Sequence, residues 1–173
     1  MDIIVKKITD ILEKQQYTPK DVLLHGVLDC SISDNIYNND YWAAFIDNKF
    51  VGCIVGVIEH WGPNKDDYYK THKLAHLDVK KHVNGKLCAC LVIKDFRRKG
   101  IGKLLFLKLE EYFRKNGCEF VLGIHQDDFW NDDSDEKKYL RGIGFTNLTR
   151  SYIFDDFDAD INFSIMVKYI GKN

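Results

Sequence analysis

Apolar and polar positions along the chain change period several times, and each change marks an element. Ile4, Ile8, Ile11 and Leu12 recur at helical spacing, while Ile3 to Val5 reads equally well as a first strand. Thr18 before Pro19 supplies an N-cap and first helical residue for a second short helix through Val22, Leu23 and Val27. Tyr41 to Ile46 is apolar, Asp47-Asn48 tolerates left-handed backbone, and Phe50 to Ile58 is apolar again, which predicts a β-hairpin. Gly52 and Gly56 inside its second strand signal a bulge or a close backbone approach. Residues 59–85 are polar and irregular, with Gly62-Pro63 and Asn84-Gly85 as turn signals.

Leu87 to Ile93 is a continuous apolar run bounded by charge, which predicts a strand covered on both faces. From Ile101 onward, Leu105, Leu109, Tyr112 and Phe113 fall on one face of a helix, Glu110 and Arg114 lie on a charged face, and Gly117 ends it. Phe120 to Ile124 is a further strand. A short helix through Tyr139 and Leu140 ends near Gly142 or Gly144, and Phe145 to Phe154 and Ile161 to Tyr169 read as closing strands.

The chain has 173 residues, no low-complexity linker and no internal repeat, so one domain with its own core is expected. Its 25 Lys and Arg against 26 Asp and Glu give a net charge of -1, which argues against a broad grip on nucleic acid. No apolar run approaches the ~20 residues that span a bilayer, and the charged start lacks signal-peptide character. A cytoplasmic protein with no membrane partner is expected. The five cysteines, an odd number, read as reduced thiols. Cys88 and Cys90 are one residue apart, which is not the spacing of a zinc knuckle. They read as small apolar residues on one strand face, although His72, His76 and His82 lie upstream. No metal is expected.

The sharpest chemical feature is Arg97-Arg98-Lys99-Gly100-Ile101-Gly102-Lys103 between an apolar strand and an amphipathic helix. Glycines that allow a tight turn, the positive end of a helix and four basic side chains together suit an anion such as a pyrophosphate. A Walker A loop is excluded at Arg97 and Leu104, and a dinucleotide fingerprint at Leu105. An R-x-x-G-x-G pattern fits at Arg97, Gly100 and Gly102.

That pattern, in LVIKDFRRKGIGKLLFLKLEEYFRKNG, resembles the acetyl-CoA-binding motif of the GNAT N-acetyltransferases. YWAAFIDNKFVGCIVG is similar to their second and third strands, KKYLRGIGF to their helix-to-strand step and INFSIMVKYI to their last strand, so the likeness spans about residues 40–170. It implies an α/β fold with a mixed, mostly antiparallel sheet of six to seven strands flanked by helices. It also implies acetyl-CoA as cosubstrate, held between splayed fourth and fifth strands. By resemblance, Leu91, Val92 and Ile93 would bond the pantetheine through their backbone. Arg97, Arg98, Lys99, Gly100, Ile101, Gly102 and Lys103 would hold the pyrophosphate, and Asn131 stands near the family's pantetheine-contacting asparagine, whose own position is Asp133.

The implied reaction is direct attack of a primary amine on the thioester. Positions 86 and 88, where the family often carries a base, hold Lys86 and Cys88. Glu59, at the end of the third strand, is the favoured base, ahead of His60, Asp78, His125 and Asp127. The family's tyrosine acid falls on Leu140, which leaves Tyr139, about 100° around the helix, as candidate acid. Acidic clusters at 127–136 and 155–160 suit a small cationic amine over a protein amine as acceptor. The protein is expected as a monomer or homodimer. A CoA-binding regulatory or interaction module without catalysis is the alternative that the substituted base and acid positions support.

Overall fold

The computed structural model describes residues 2–17, 39–60, 83–126, 135–149 and 163–171. Its elements run β1 (Ile4–Ile8), α1 (Ile11–Tyr17), β2 (Asp40–Ile46), β3 (Lys49–His60), β4 (Val83–Val92), a 3-10 turn (Lys94–Phe96), α2 (Ile101–Lys115), β5 (Cys118–Gln126), α3 (Asp135–Gly142), β6 (Thr146–Thr149) and β7 (Phe163–Tyr169). The strands follow the order β1-β2-β3-β4-β5-β7-β6. The neighbours β1/β2, β2/β3, β5/β7 and β6/β7 pair antiparallel. This is the mixed α/β sheet that the sequence predicts. The second short helix expected from Thr18 to Val27 lies outside the described residues.

Two compact units make up the chain: residues 1–57 with 87–112, and residues 58–86 with 113–173. In the first, the β2–β3 hairpin turns through Asp47 at φ 49° and Asn48 at φ 63°, the left-handed pair of a type I′ turn. Ala44 pairs with Gly52 but Phe45 with Phe50, so Val51 is an extra residue in β3 and a bulge sits beside the turn. Gly52 answers to the close approach expected of it: a Cβ there would stand 2.6 Å from Leu91 O. One core cluster gathers Ile8, Tyr41, Ala43, Phe45, Cys53 and Val55. α1 caps this cluster through Tyr17, whose ring stacks on Phe50 at 5.2–5.3 Å from its aromatic neighbours and whose carbonyl accepts the Tyr41 hydroxyl at 3.0 Å. The N-terminal ambiguity resolves as strand and then helix. Ile4 and Leu12 are exposed, and only Ile8 among those isoleucines and leucines is buried.

In α2 the expected apolar face is buried at Ile101, Leu105, Leu109 and Phe113, with Phe106 added, while Tyr112 is half-buried. Glu110, expected on the charged face with Arg114, is buried as well. Gly117, at φ 79°, ends the helix as predicted. Asn84-Gly85, expected as a turn, instead lies inside β4. The reason is packing: a Cβ on Gly85 would meet the Phe113 ring at 2.4 Å, so glycine marks where that ring lies against the strand.

In the second unit β5 pairs along its length with β7, and Phe120, Leu122 and Val167 form a small cluster. α3 closes in a Schellman motif, with Phe145 N–H donating to Leu140 O at 3.0 Å, Gly144 N–H to Arg141 O at 3.0 Å, and Gly144 at φ 95°. Leu140 and Phe145 then pack over Gly123.

Candidate functional site: an apolar strand leading into a basic loop

β4 departs from the doubly covered strand that its composition predicts. Asn84, Gly85 and Lys86 are buried, but every residue from Leu87 to Ile93 is only half-buried. Cys88, Ala89 and Leu91 all pack against the first unit's core cluster.

Past Val92 the chain is tied down locally. Ile93 N–H donates to Val51 O at 2.9 Å, and Phe96 N–H to Ile93 O at 2.8 Å. The Arg97 guanidinium turns back, its Nε donating to Val92 O at 2.9 Å. Lys99 Nζ donates to Asp95 O at 3.1 Å and lies 5.1 Å from the centre of the Phe96 ring, with Lys49 Nζ 5.5 Å from the same ring. Gly100 takes φ 81°, the turn that glycine was expected to allow, and nothing lies within 4 Å of where its Cβ would be. Gly102, expected to share that role, instead lies in the first turn of α2. The second left-handed residue is Arg98, at φ 62°. Sequence reasoning had no signal for it, because arginine is not a residue that announces a left-handed turn.

The α2 ladder opens with Leu104 N–H to Gly100 O at 3.0 Å, so the backbone of 101–103 lies at the positive end of the helix dipole. Arg97, Arg98, Lys99 and Lys103 are all exposed around it. Leu91, Val92 and Ile93, half-buried, are thus followed along the chain by an exposed basic loop.

The remaining candidates belong to the second unit or lie outside the description. Glu59 and His60 are the last two residues of β3, and His125 lies in β5. Tyr139 is half-buried on α3, while Leu140, at the family's tyrosine position, is core. Asn131, Asp78, Asp127, Asp133 and most of both acidic clusters fall outside the described residues. Lys86 is buried in β4. Two residues apart from it, Asn84 is buried with neither Nδ2 nor Oδ1 hydrogen-bonded.

Cys53, Cys88, Cys90 and Cys118 form no disulfide, and Cys30 lies outside the described residues. Burial pushes the Cys53 and Cys118 thiols up to about 11. Sequence reasoning also missed a buried lysine. Lys14 on α1 is 5% exposed, and its ammonium donates to Asn39 O at 2.8 Å. Desolvation lowers its pKa, with Asp40 opposing the shift and Lys7 adding to it. A lysine flanked by polar residues gives no sign of burial in the sequence. Among the described residues, no group of three His, Cys, Asp or Glu side chains is placed to hold a metal, and no helix is long and apolar enough to cross a membrane.

A family model for the GNAT acetyltransferases matches residues 6–145, and the chain belongs to that family. Solved structures share the fold at low identity. Arabidopsis thaliana NAA60 in complex with acetyl-CoA is 16% identical with a TM-score of 0.68, covering 97% of this chain and 99% of that one. A GNAT acetyltransferase from Elizabethkingia anophelis with acetyl-CoA bound is 13% identical with a TM-score of 0.64, covering 96% and 97%. The IAA acetyltransferase from Bacillus cereus is 13% identical with a TM-score of 0.62, covering 97% and 99%. No curated protein matches the sequence.

Proposed function

We propose that this protein is one GNAT domain that transfers an acetyl group from acetyl-CoA to a primary amine in the cytoplasm, acting as a monomer or homodimer. The observation that carries the reading is the half-buried apolar end of β4 followed, across a 3-10 turn, by the basic loop at the start of α2. An apolar arm ending in a pyrophosphate has this same order of chemistry. The pyrophosphate lies against residues 97–103, where dipole and side chains are both positive. The pantetheine follows the backbone of Leu91 and Val92. Ile93 adds mainly its apolar side chain, since its N–H is already committed to Val51 O. Asn131 completes the contact with the arm.

In the reaction the amine nitrogen attacks the thioester carbonyl carbon. The C–N bond forms, the C–S bond breaks, and the CoA thiolate leaves and takes up a proton. An alkylammonium holds its proton up to about pH 10.4, so a base must remove it first. Glu59 takes this role, directly or through a water, and Tyr139 is the acid toward the thiolate. A β4 backbone N–H steadies the developing oxyanion. The acceptor favoured by the acidic segments is a small cationic amine.

Release of CoA thiol from acetyl-CoA, measured across a panel of polyamines, aminoglycosides, amino acids and peptides, tests the reading. One amine should accelerate release, with a rate that rises with pH. Glu59→Gln should lower turnover about 10²-fold while acetyl-CoA affinity holds. Tyr139→Phe should cost less. Tight acetyl-CoA binding without acceleration by any amine supports the non-catalytic module instead, the reading that buried Lys86 and core Leu140 favour.

A further inference from the structure

Read backward from the phosphate loop, β4 passes Ile93, Val92 and Leu91, then Cys90, Ala89 and Cys88. If the arm lies along Leu91 and Val92, the thioester end of acetyl-CoA falls at 88–90. That stretch is half-buried, with Cys88 and Ala89 packed against the first unit's core cluster. A backbone N–H from this stretch is the donor that the proposed reaction aims at the thioester carbonyl.

Something outside the sheet holds this point. Asn39 Nδ2 donates to Cys88 Sγ at 3.9 Å. Asn39 is fixed from behind, because the buried ammonium of Lys14 donates to its carbonyl oxygen at 2.8 Å. The next residue, Asp40, is pinned to β1 by an ion pair with Lys7 at 2.7 Å. A buried, charge-assisted bond to a backbone carbonyl is a costly way to anchor one residue, and the residue it anchors reaches the middle of β4.

We propose that Asn39 is a positioning residue: braced by Lys14, it holds Cys88 so that the β4 backbone at 88–90 polarises the thioester carbonyl of bound acetyl-CoA. Asn39 touches neither substrate nor cosubstrate. It acts through the strand, and the proposal rests on the acetyl-CoA reading above.

The test needs no acceptor. Acetyl-CoA carrying carbon-13 at the acetyl carbonyl is bound to the full protein, and its carbonyl stretch is recorded by isotope-edited infrared spectroscopy beside its affinity by calorimetry. Asn39→Asp keeps the shape and removes the donor, and Cys88→Ala removes the acceptor. Both should shift the bound carbonyl to higher frequency with affinity unchanged, because the phosphate and arm contacts lie elsewhere. The double variant should shift it no further than the larger single change, as expected of two residues acting in one line. If Asn39→Asp does not fold, Cys88→Ala alone decides. A carbonyl frequency equal to wild type in the folded variants, or shifts that add in the double variant, overturns the proposal while leaving acetyl-CoA binding in place. Wild-type protein that binds no acetyl-CoA removes both readings.

Discussion

The β2–β3 hairpin and strand β4 are equally apolar in sequence and are used differently. From Tyr41 to Ile46 every residue is buried, and so is every residue from Val51 to Gly56. From Leu87 to Ile93 none is. Apolar surface left half-exposed forgoes about 25 cal/mol for each Å² that burial would gain. A seven-residue run in the middle of the strand order is an unusual place to forgo it. The contrast separates a fully covered hairpin from a half-covered strand, the one that the proposed acetyl-CoA site would use, and composition alone does not distinguish them.

The largest effect should come where the two regions meet. Gly52→Val drives a side chain into the Leu91 carbonyl, 2.6 Å from its Cβ, with the Val92 Cα at 3.3 Å. Neither is a flexible side-chain tip, so a loss of about 3 kcal/mol in unfolding free energy is expected from urea titration. Near-wild-type stability would show that hairpin and β4 are less tightly joined than the structure has them.

Next in size is alkaline stability. Cys53, in the hairpin, is raised to about 11 by burial, and so is Cys118. A thiol held neutral by the fold adds stability that is complete below the ordinary thiol pKa and is lost as pH rises through the folded value. Unfolding free energy should therefore drop between about pH 9 and 11, by up to about 2 kcal/mol per thiol. Cys53→Ala should flatten part of that slope. At pH 8, a mild alkylating agent should label half-buried Cys88 and Cys90 before Cys53. Equal labelling of all three would erase the distinction between the two regions.

Smaller again is Gly102→Val. A branched side chain in the first turn of α2 should crowd the pyrophosphate and weaken acetyl-CoA binding about tenfold or more, while the melting temperature stays near wild type. Equal affinity for both folded proteins would remove the phosphate assignment. The smallest effect belongs to the exposed Lys108–Glu111 pair on α2, at 3.3 Å. Lys108→Ala should change stability by less than about 0.5 kcal/mol. A larger loss would mean that α2 depends on its outer face.

Much of this architecture is legible in the sequence where a local signal agrees with the tertiary result. Asp47-Asn48 marks the hairpin because two adjacent left-handed residues suit few other structures. The α2 face is legible because fifteen residues repeat one period. The same local logic misplaced Asn84-Gly85. That glycine answers to the Phe113 ring, a neighbour 28 positions away that no short-range pattern contains. The loop at 97–103 could be read because its chemistry is contiguous. Glu59 and Tyr139 rest on resemblance, since a base and an acid are assembled from separate strands and helices and leave no spacing to read. Lys14 shows the reverse case: a lysine on a short, polar-looking helix becomes buried because Tyr17, three residues on, anchors that helix to the sheet.

Strand β1 carries a consequence for behaviour in concentrated solution. It stands at one end of the strand order, where backbone hydrogen-bonding groups invite another chain to add on. It is only five residues long, and two of those are Lys6 and Lys7, side by side. Lys7 is drawn back over the Tyr112 ring at 4.0 Å and paired with Asp40 at 2.7 Å, and Lys6 lies 5.6 Å from the centre of the Phe45 ring. A border this short, with a lysine on each face of the strand, offers a second copy little to pair with, which guards the sheet against growing from one molecule into the next.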